Sequence, residues 1–98
     1  MEIIKTLNGE NLTIKLIGRL DTTTSPSLEK ELQNSIEGIT KLVIDFSKLD
    51  YISSAGLRIL LAAQKIMNKQ GEMIVLNPNE TINEVFEITG FIDILTIE

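Results

Sequence analysis

Apolar residues recur along this chain in two rhythms. Between Asn11 and Ile17, Leu12, Ile14 and Leu16 alternate with Thr13 and Lys15, the period-two pattern of a strand with one buried face. Glu2 to Leu7 reads as a strand before it, and the intervening Asn8-Gly9 is a hairpin signal. Gly18-Arg19-Leu20-Asp21 is expected to lead out of the sheet. Ser25-Pro26 then has the form of an N-cap followed by proline at the first helical position, and predicts a helix to about Glu37. Its apolar stripe is Leu28, Leu32, Ser35 and Ile36, with Glu29, Lys30, Glu31 and Gln33 toward water and Gly38 as the stop.

The second half repeats a strand–helix alternation. Leu42-Val43-Ile44, within Lys41 to Phe46, is a compact apolar run suited to an interior parallel strand. A loop is expected from Ser47 to Ile52. A helix follows from Ser53 or Ser54 to about Lys69, with Leu60, Ala63 and Met67 as its stripe and Leu57, Ile59 and Ile66 flanking it. Arg58, Lys65 and Lys69 fall on the other side, and Gly71 ends the helix. Met73 to Leu76 reads as a short buried strand, Glu80 to Thr89 as a helix with Ile82, Val85 and Phe86 inward, and Ile92 to Leu95 as a last strand. The order is β-β-α-β-α-β-α-β. Right-handed crossovers would make the last three strands largely parallel, with the hairpin alongside. The expectation is one α/β domain over residues 1–98, with a mixed sheet of four to five strands.

Composition removes whole classes of chemistry. With no histidine among 98 residues, Ser-His-Asp triads, histidine acid–base catalysis, phosphohistidine relays and the usual zinc sites are excluded. With no cysteine, so are disulfides and thiolate metal sites, which suits a reducing cytoplasm. No signal peptide is visible, and no stretch approaches the ~18 apolar residues of a membrane span. A net charge of −5 argues against nucleic acid, whose binding rests on Lys and Arg displacing counterions. A cytoplasmic protein with no cofactor, no membrane insertion and a protein or small-ligand partner is expected.

The stretch with chemical promise is Asp45 to Leu60, DFSKLDYISSAGLRIL. Two serines open a helix beside Ala55 and Gly56, and a helix start offers unpaired N–H groups and partial positive charge to an anion. The small residues would let a partner approach closely. A serine in that position is ordinarily only a cap worth about 1 kcal/mol. Asp21 and Thr22 to Ser25 read first as a turn and cap. Asp45 and Asp50 lack a third ligand for a metal. Tyr51 reads as loop packing, and Arg58 as a solvated side chain one turn after Ser54.

The same stretch resembles the signature of STAS domains, and of anti-sigma-factor antagonists in particular: aspartate, a hydrophobic loop residue, a serine doublet, then Gly-Leu. Three other segments are similar in order and spacing: Gly18-Arg19-Leu20-Asp21, Gly71-Glu72-Met73, and Val85-Phe86-Glu87-Ile88-Thr89-Gly90-Phe91. The resemblance implies a STAS-like fold and a partner switch. In that family the unphosphorylated antagonist binds an anti-sigma factor that is also a serine kinase of the GHKL ATPase fold, and so frees the sigma factor. The kinase phosphorylates the antagonist and loses its grip, and a PP2C-type phosphatase restores binding. By resemblance the phosphorylated residue is Ser54, with Ser53 a second candidate. The implied partner surface comprises Asp21, Thr22, Thr23, Thr24, Ser53, Ser54, Ala55, Gly56 and Arg58. Two departures bear on it: the family often has Asp where Ser53 stands, and Ser or Thr where Ala55 stands. Two other readings remain open, a STAS module that senses a nucleotide or lipid or serves as a scaffold, and an enzyme with Ser54 as nucleophile. The enzyme reading is disfavoured, because no base is visibly committed to that serine.

Overall fold

In the computed structural model, which describes residues 1–98, the chain runs β1 (Glu2–Asn8), β2 (Asn11–Leu20), α1 (Ser25–Ser35), β3 (Lys41–Ile52), α2 (Ser54–Met67), β4 (Glu72–Leu76), α3 (Glu80–Thr89), a 3-10 turn (Phe91–Asp93) and β5 (Thr96–Ile97). The α/β class and the element order agree with the sequence pattern. Strand order in the sheet is β1-β2-β3-β4-β5. β1 pairs antiparallel with β2, and the β2–β3, β3–β4 and β4–β5 pairs are all parallel.

The hairpin closes through Gly9-Glu10, with Asn8 opposite Asn11 and Gly9 at φ +65°. A two-residue turn needs that left-handed conformation, and glycine adopts it without a steric penalty. The parallel connections keep moving across the sheet in one direction, so right-handed crossovers put all three helices on one face. That face carries Leu12, Ile14, Leu42, Ile44, Met73 and Val75, each no more than 1% exposed. With Leu28, Leu60, Ile82 and others from the helices they form one cluster of 23 buried apolar residues. Phe46 and Phe86 stack within it, ring centroids 6.3 Å apart, and fasten α3 to β3. Thr13, Lys15, Ile17, Val43 and Asp45 alternate onto the opposite face and are half-buried.

Several boundaries differ from expectation. Gly18 to Leu20 does not leave the sheet: β2 continues to Leu20, and Ser47 to Ile52 is the second half of β3 rather than a loop. The register shifts between Lys15 and Ile17 and again between Gly18 and Arg19, so β3 carries the extra residues of two bulges. The Asp45 carboxylate accepts the Ser47 N–H at 2.9 Å at the first of them. The cap of α1 is Thr24, with Ser25 the first helical residue, and α1 ends at Ser35. The helix α2 stops at Met67, before Lys69. The last strand is Thr96–Ile97, and Phe91 to Asp93 form the 3-10 turn instead.

Candidate functional site

The parallel strands β2 and β3 end side by side, at Leu20 and Ile52, and the two segments that follow them build one surface. Open parallel sheets place their functional residues at such carboxyl ends. The Ser53 N–H donates to the Leu20 carbonyl at 2.9 Å, which joins the start of α2 to the end of β2.

After Leu20 the chain turns around Asp21. The Asp21 carboxylate accepts the Thr23 N–H at 3.0 Å, the Thr24 N–H at 3.1 Å and the Thr23 hydroxyl at 2.7 Å. These bonds favour the ionised form, the Thr23 hydroxyl most of all, and hold its carboxyl below the ordinary aspartate range. Thr24 Oγ1 donates to the Arg19 carbonyl at 2.8 Å and accepts the Asp21 N–H at 2.9 Å. Thr24 therefore locks the turn and does not cap α1 with its side chain. Thr22 and Thr23 are exposed at the tip.

The start of α2 is open in a way the sequence does not announce. Ser53 occupies the N-cap position but makes no side-chain cap bond. Its Oγ is buried and without a partner. The first intrahelical bond runs from the Leu57 N–H to the Ser53 carbonyl, so the amides of Ser54, Ala55 and Gly56 precede it and have no partner within the helix. Ser54 is exposed, and Ala55 is half-buried. Arg58 is exposed one turn along α2 from Ser54, and it forms no ion pair, those present being Lys5–Glu31, Arg19–Asp21 and Lys41–Glu72. Gly56 is buried. A Cβ there would lie 2.8 Å from Leu20 and 2.9 Å from Ile52. The close approach that Gly56 permits is that of α2 to its own sheet, so Gly56, expected on a partner surface, is instead buried.

Sequence reasoning missed two contributors. Arg19 and Tyr51 are register partners on β2 and β3, and the Arg19 guanidinium lies 4.3 Å from the Tyr51 ring centroid. Arg19 also approaches Asp21, Nε to Oδ2 3.8 Å. Tyr51 is thus not loop packing but part of a strand end, 38% exposed. The structure also forms a cleft of about 390 Å³ between Thr22 of the turn with the start of α1, at Ser25, Pro26 and Glu29, and the first turns of α2, at Ala55, Arg58 and Ile59. Of the residues expected from sequence, the Asp21–Thr24 turn, Ser54, Ala55 and Arg58 are brought to this end of the sheet. No group of three or more acidic side chains is gathered that could hold a metal, and no helix is long and apolar enough to cross a membrane.

The STAS domain family model matches residues 2–98. BtrV of Bordetella bronchiseptica, described as an anti-sigma factor antagonist, is 39% identical over 84% of this chain and 72% of its own length. This chain is a STAS domain of the anti-sigma-factor-antagonist family. An anti-sigma-B factor antagonist of Listeria monocytogenes is 31% identical over 97% of this chain and 85% of its own length. The STAS fold is shared with the anti-sigma factor antagonist SpoIIAA in its unphosphorylated form, at a TM-score of 0.78 and 21% identity over 99% of this chain and 87% of that one. SpoIIAA is also solved in a phosphorylated form, again at a TM-score of 0.78, with 22% identity over 99% of this chain and 91% of that one.

Proposed function

We propose that this STAS domain works as a partner switch. Its unphosphorylated form binds an anti-sigma factor that is a serine kinase of the GHKL type and thereby releases a sigma factor. Phosphorylation of Ser54 ends that binding, and a PP2C-type phosphatase restores it. The observation that carries the reading is the contrast between the two serines. Ser54 is exposed on an uncapped helical turn, whereas the Ser53 hydroxyl is enclosed. The names of the relatives and the existence of a phosphorylated SpoIIAA support it.

The physics suits a switch that acts without unfolding. A phosphate on Ser54 adds about −1.5 to −2 charges beside three amides that lack intrahelical partners, where an anion is stabilised by about 0.3–1 kcal/mol. Arg58, one turn on, can pair with it. Loss of the partner then comes from repulsion and desolvation across the interface, and about 2.7 kcal/mol suffices for a hundredfold weaker complex. Ser54 accepts the phosphate and catalyses nothing. Intact-mass analysis after incubation with the kinase and ATP tests this: one phosphate is expected on wild type and Ser53→Ala, and none on Ser54→Ala. Modification lost only in Ser53→Ala, or absent with a kinase active on another substrate, would overturn it.

A further inference from the structure

Charge is unevenly spread along this chain. All nine Lys and Arg lie before residue 70, whereas residues 70–98 carry six Asp and Glu and no cation. The helix α3 and the turn after it present that acidic stretch to water together with three isoleucines. Ile82 and Phe86 face the core, which leaves Glu84, Glu87 and Ile88 exposed on one outer stripe at helical spacing. Ile88 is 86% exposed, more than any other large apolar side chain of the protein. Gly90, left-handed at φ +80°, turns the chain back, and the 3-10 turn packs against α3. Phe91 rests on the core, Leu95 is buried in it, and the Leu95 N–H donates to the Phe91 carbonyl at 2.8 Å. These two residues hold the turn, and Ile92, Asp93 and Ile94 stay outside it, exposed. One exposed isoleucine is ordinary, but three within seven residues form a patch that the fold does not use. Glu84, Glu87 and Asp93 enter none of the ion pairs. Since α3 leaves the carboxyl end of β4 and the chain re-enters the sheet parallel to β4 at β5, the patch lies at the opposite end of the sheet from Ser54.

We propose that this surface docks a basic amphipathic helix of a partner protein, at a site separate from the switch. Apolar side chains of that helix cover Ile88, Ile92 and Ile94, while its Lys and Arg face Glu84, Glu87 and Asp93. Charge decides the occupant. A second copy of the same acidic face, an anionic membrane and a nucleic acid are all repelled. A cationic helix is attracted, and its apolar stripe removes the isoleucines from water. The site is free to bind whether or not Ser54 is engaged or phosphorylated, so its failure leaves the switch standing.

The test is titration of the full chain with a synthetic amphipathic peptide of about 18 residues, long enough to form a helix, built from Leu on one face and Lys on the other. Backbone amide NMR follows the binding and reports whether each variant keeps its fold. Saturable shifts are expected between Glu84 and Leu95, with Ser54 and Ala55 unmoved. Ile88→Ser should weaken binding by about tenfold, in keeping with the loss of one apolar anchor. Ile66→Ser, which alters an isoleucine 43% exposed on α2, should leave it unchanged. Glu84→Gln combined with Glu87→Gln should weaken binding and flatten its salt dependence. A counterpart peptide with Glu in place of Lys should not bind. Shifts spread over other carboxylates, equal affinity of wild type and Ile88→Ser, or equal binding of the two peptides would overturn the proposal. Two further outcomes would also overturn it by naming another occupant. One is self-association in sedimentation that Ile88→Ser abolishes, and the other is binding to phosphatidylglycerol vesicles that Ile88→Ser abolishes.

Discussion

Arg19 and Tyr51 face each other across the β2–β3 ladder, the guanidinium lying over the ring at 4.3 Å. Both side chains are exposed, so the contact contributes only about 0.5–1 kcal/mol to the fold. Tyrosine and arginine are, however, the residue types enriched at the energetic centres of interfaces. Tyr51→Ala is expected to leave the urea midpoint nearly unchanged and to weaken the complex with the anti-sigma factor about tenfold or more in calorimetric titration. Unchanged affinity would remove this pair from the partner surface.

Gly56→Ala tests whether the small residue after the serines serves packing. Its added methyl would meet Leu20 and Ile52 inside 3 Å, and overpacking of this kind costs about 1–3 kcal/mol. Gly71→Ala should cost more, because the new Cβ collides with the backbone carbonyl of Thr40. That carbonyl accepts the Glu72 N–H at the start of the β3–β4 pairing. Urea unfolding of both variants should rank Gly71→Ala below Gly56→Ala, and both below wild type.

Asn79 links the cap of α3 to β3. Its side-chain oxygen accepts the Ile82 N–H at 2.8 Å, while its amide nitrogen donates to the Leu49 carbonyl at 3.2 Å. Asn79→Asp keeps the acceptor and loses the donor; Asn79→Ala loses both. Thermal denaturation should place Asn79→Asp between wild type and Asn79→Ala, with the alanine variant down by about 1–2 kcal/mol.

The Asp21 turn should be sensitive to acid. Its carboxyl pKa is depressed by the Thr23 hydroxyl first and by the Thr24 N–H next. A carboxylate with a folded pKa below its unfolded value stabilises the fold above that unfolded value, near pH 4, and loses the contribution as pH falls through the folded pKa. Carbon-detected titration of Asp21 should give a midpoint below the ordinary aspartate value, and Thr23→Val should raise it. A midpoint that does not move in Thr23→Val would show that the hydroxyl bond is not the cause.

The period-two and helical patterns carried the class and the order of elements, because each strand and helix owes its place to one buried stripe. They failed where geometry broke the period. Phe46, Leu49 and Ile52 are all buried on β3, yet they fall three residues apart, because the bulges insert extra residues between inward positions. That spacing looks like a loop to any test for alternation. Ile92, Ile94 and Leu95 look like a strand, but Ile92 and Ile94 are 40% and 48% exposed and only Leu95 is buried. At the site, the serine doublet and the Asp21 turn were legible as residue types at a helix start and a turn. Which hydroxyl faces inward was not, since it depends on the extended backbone at Ser53, with φ −98° and ψ 175°. The Arg19–Tyr51 contact was invisible for a similar reason: it exists only through a register that the bulges set.

The sheet's strand order is its chain order. No strand has to be threaded between two that are already paired, so assembly can proceed as the chain emerges from the ribosome, each new strand adding to an open edge. Pairing partners close early in sequence form first at small loop-closure cost. The edge left at the end is a strand of two residues, too short to recruit another chain's strand with any strength. The opposite edge, β1, is seven residues long, so a strand added to this sheet from another chain would have to join there.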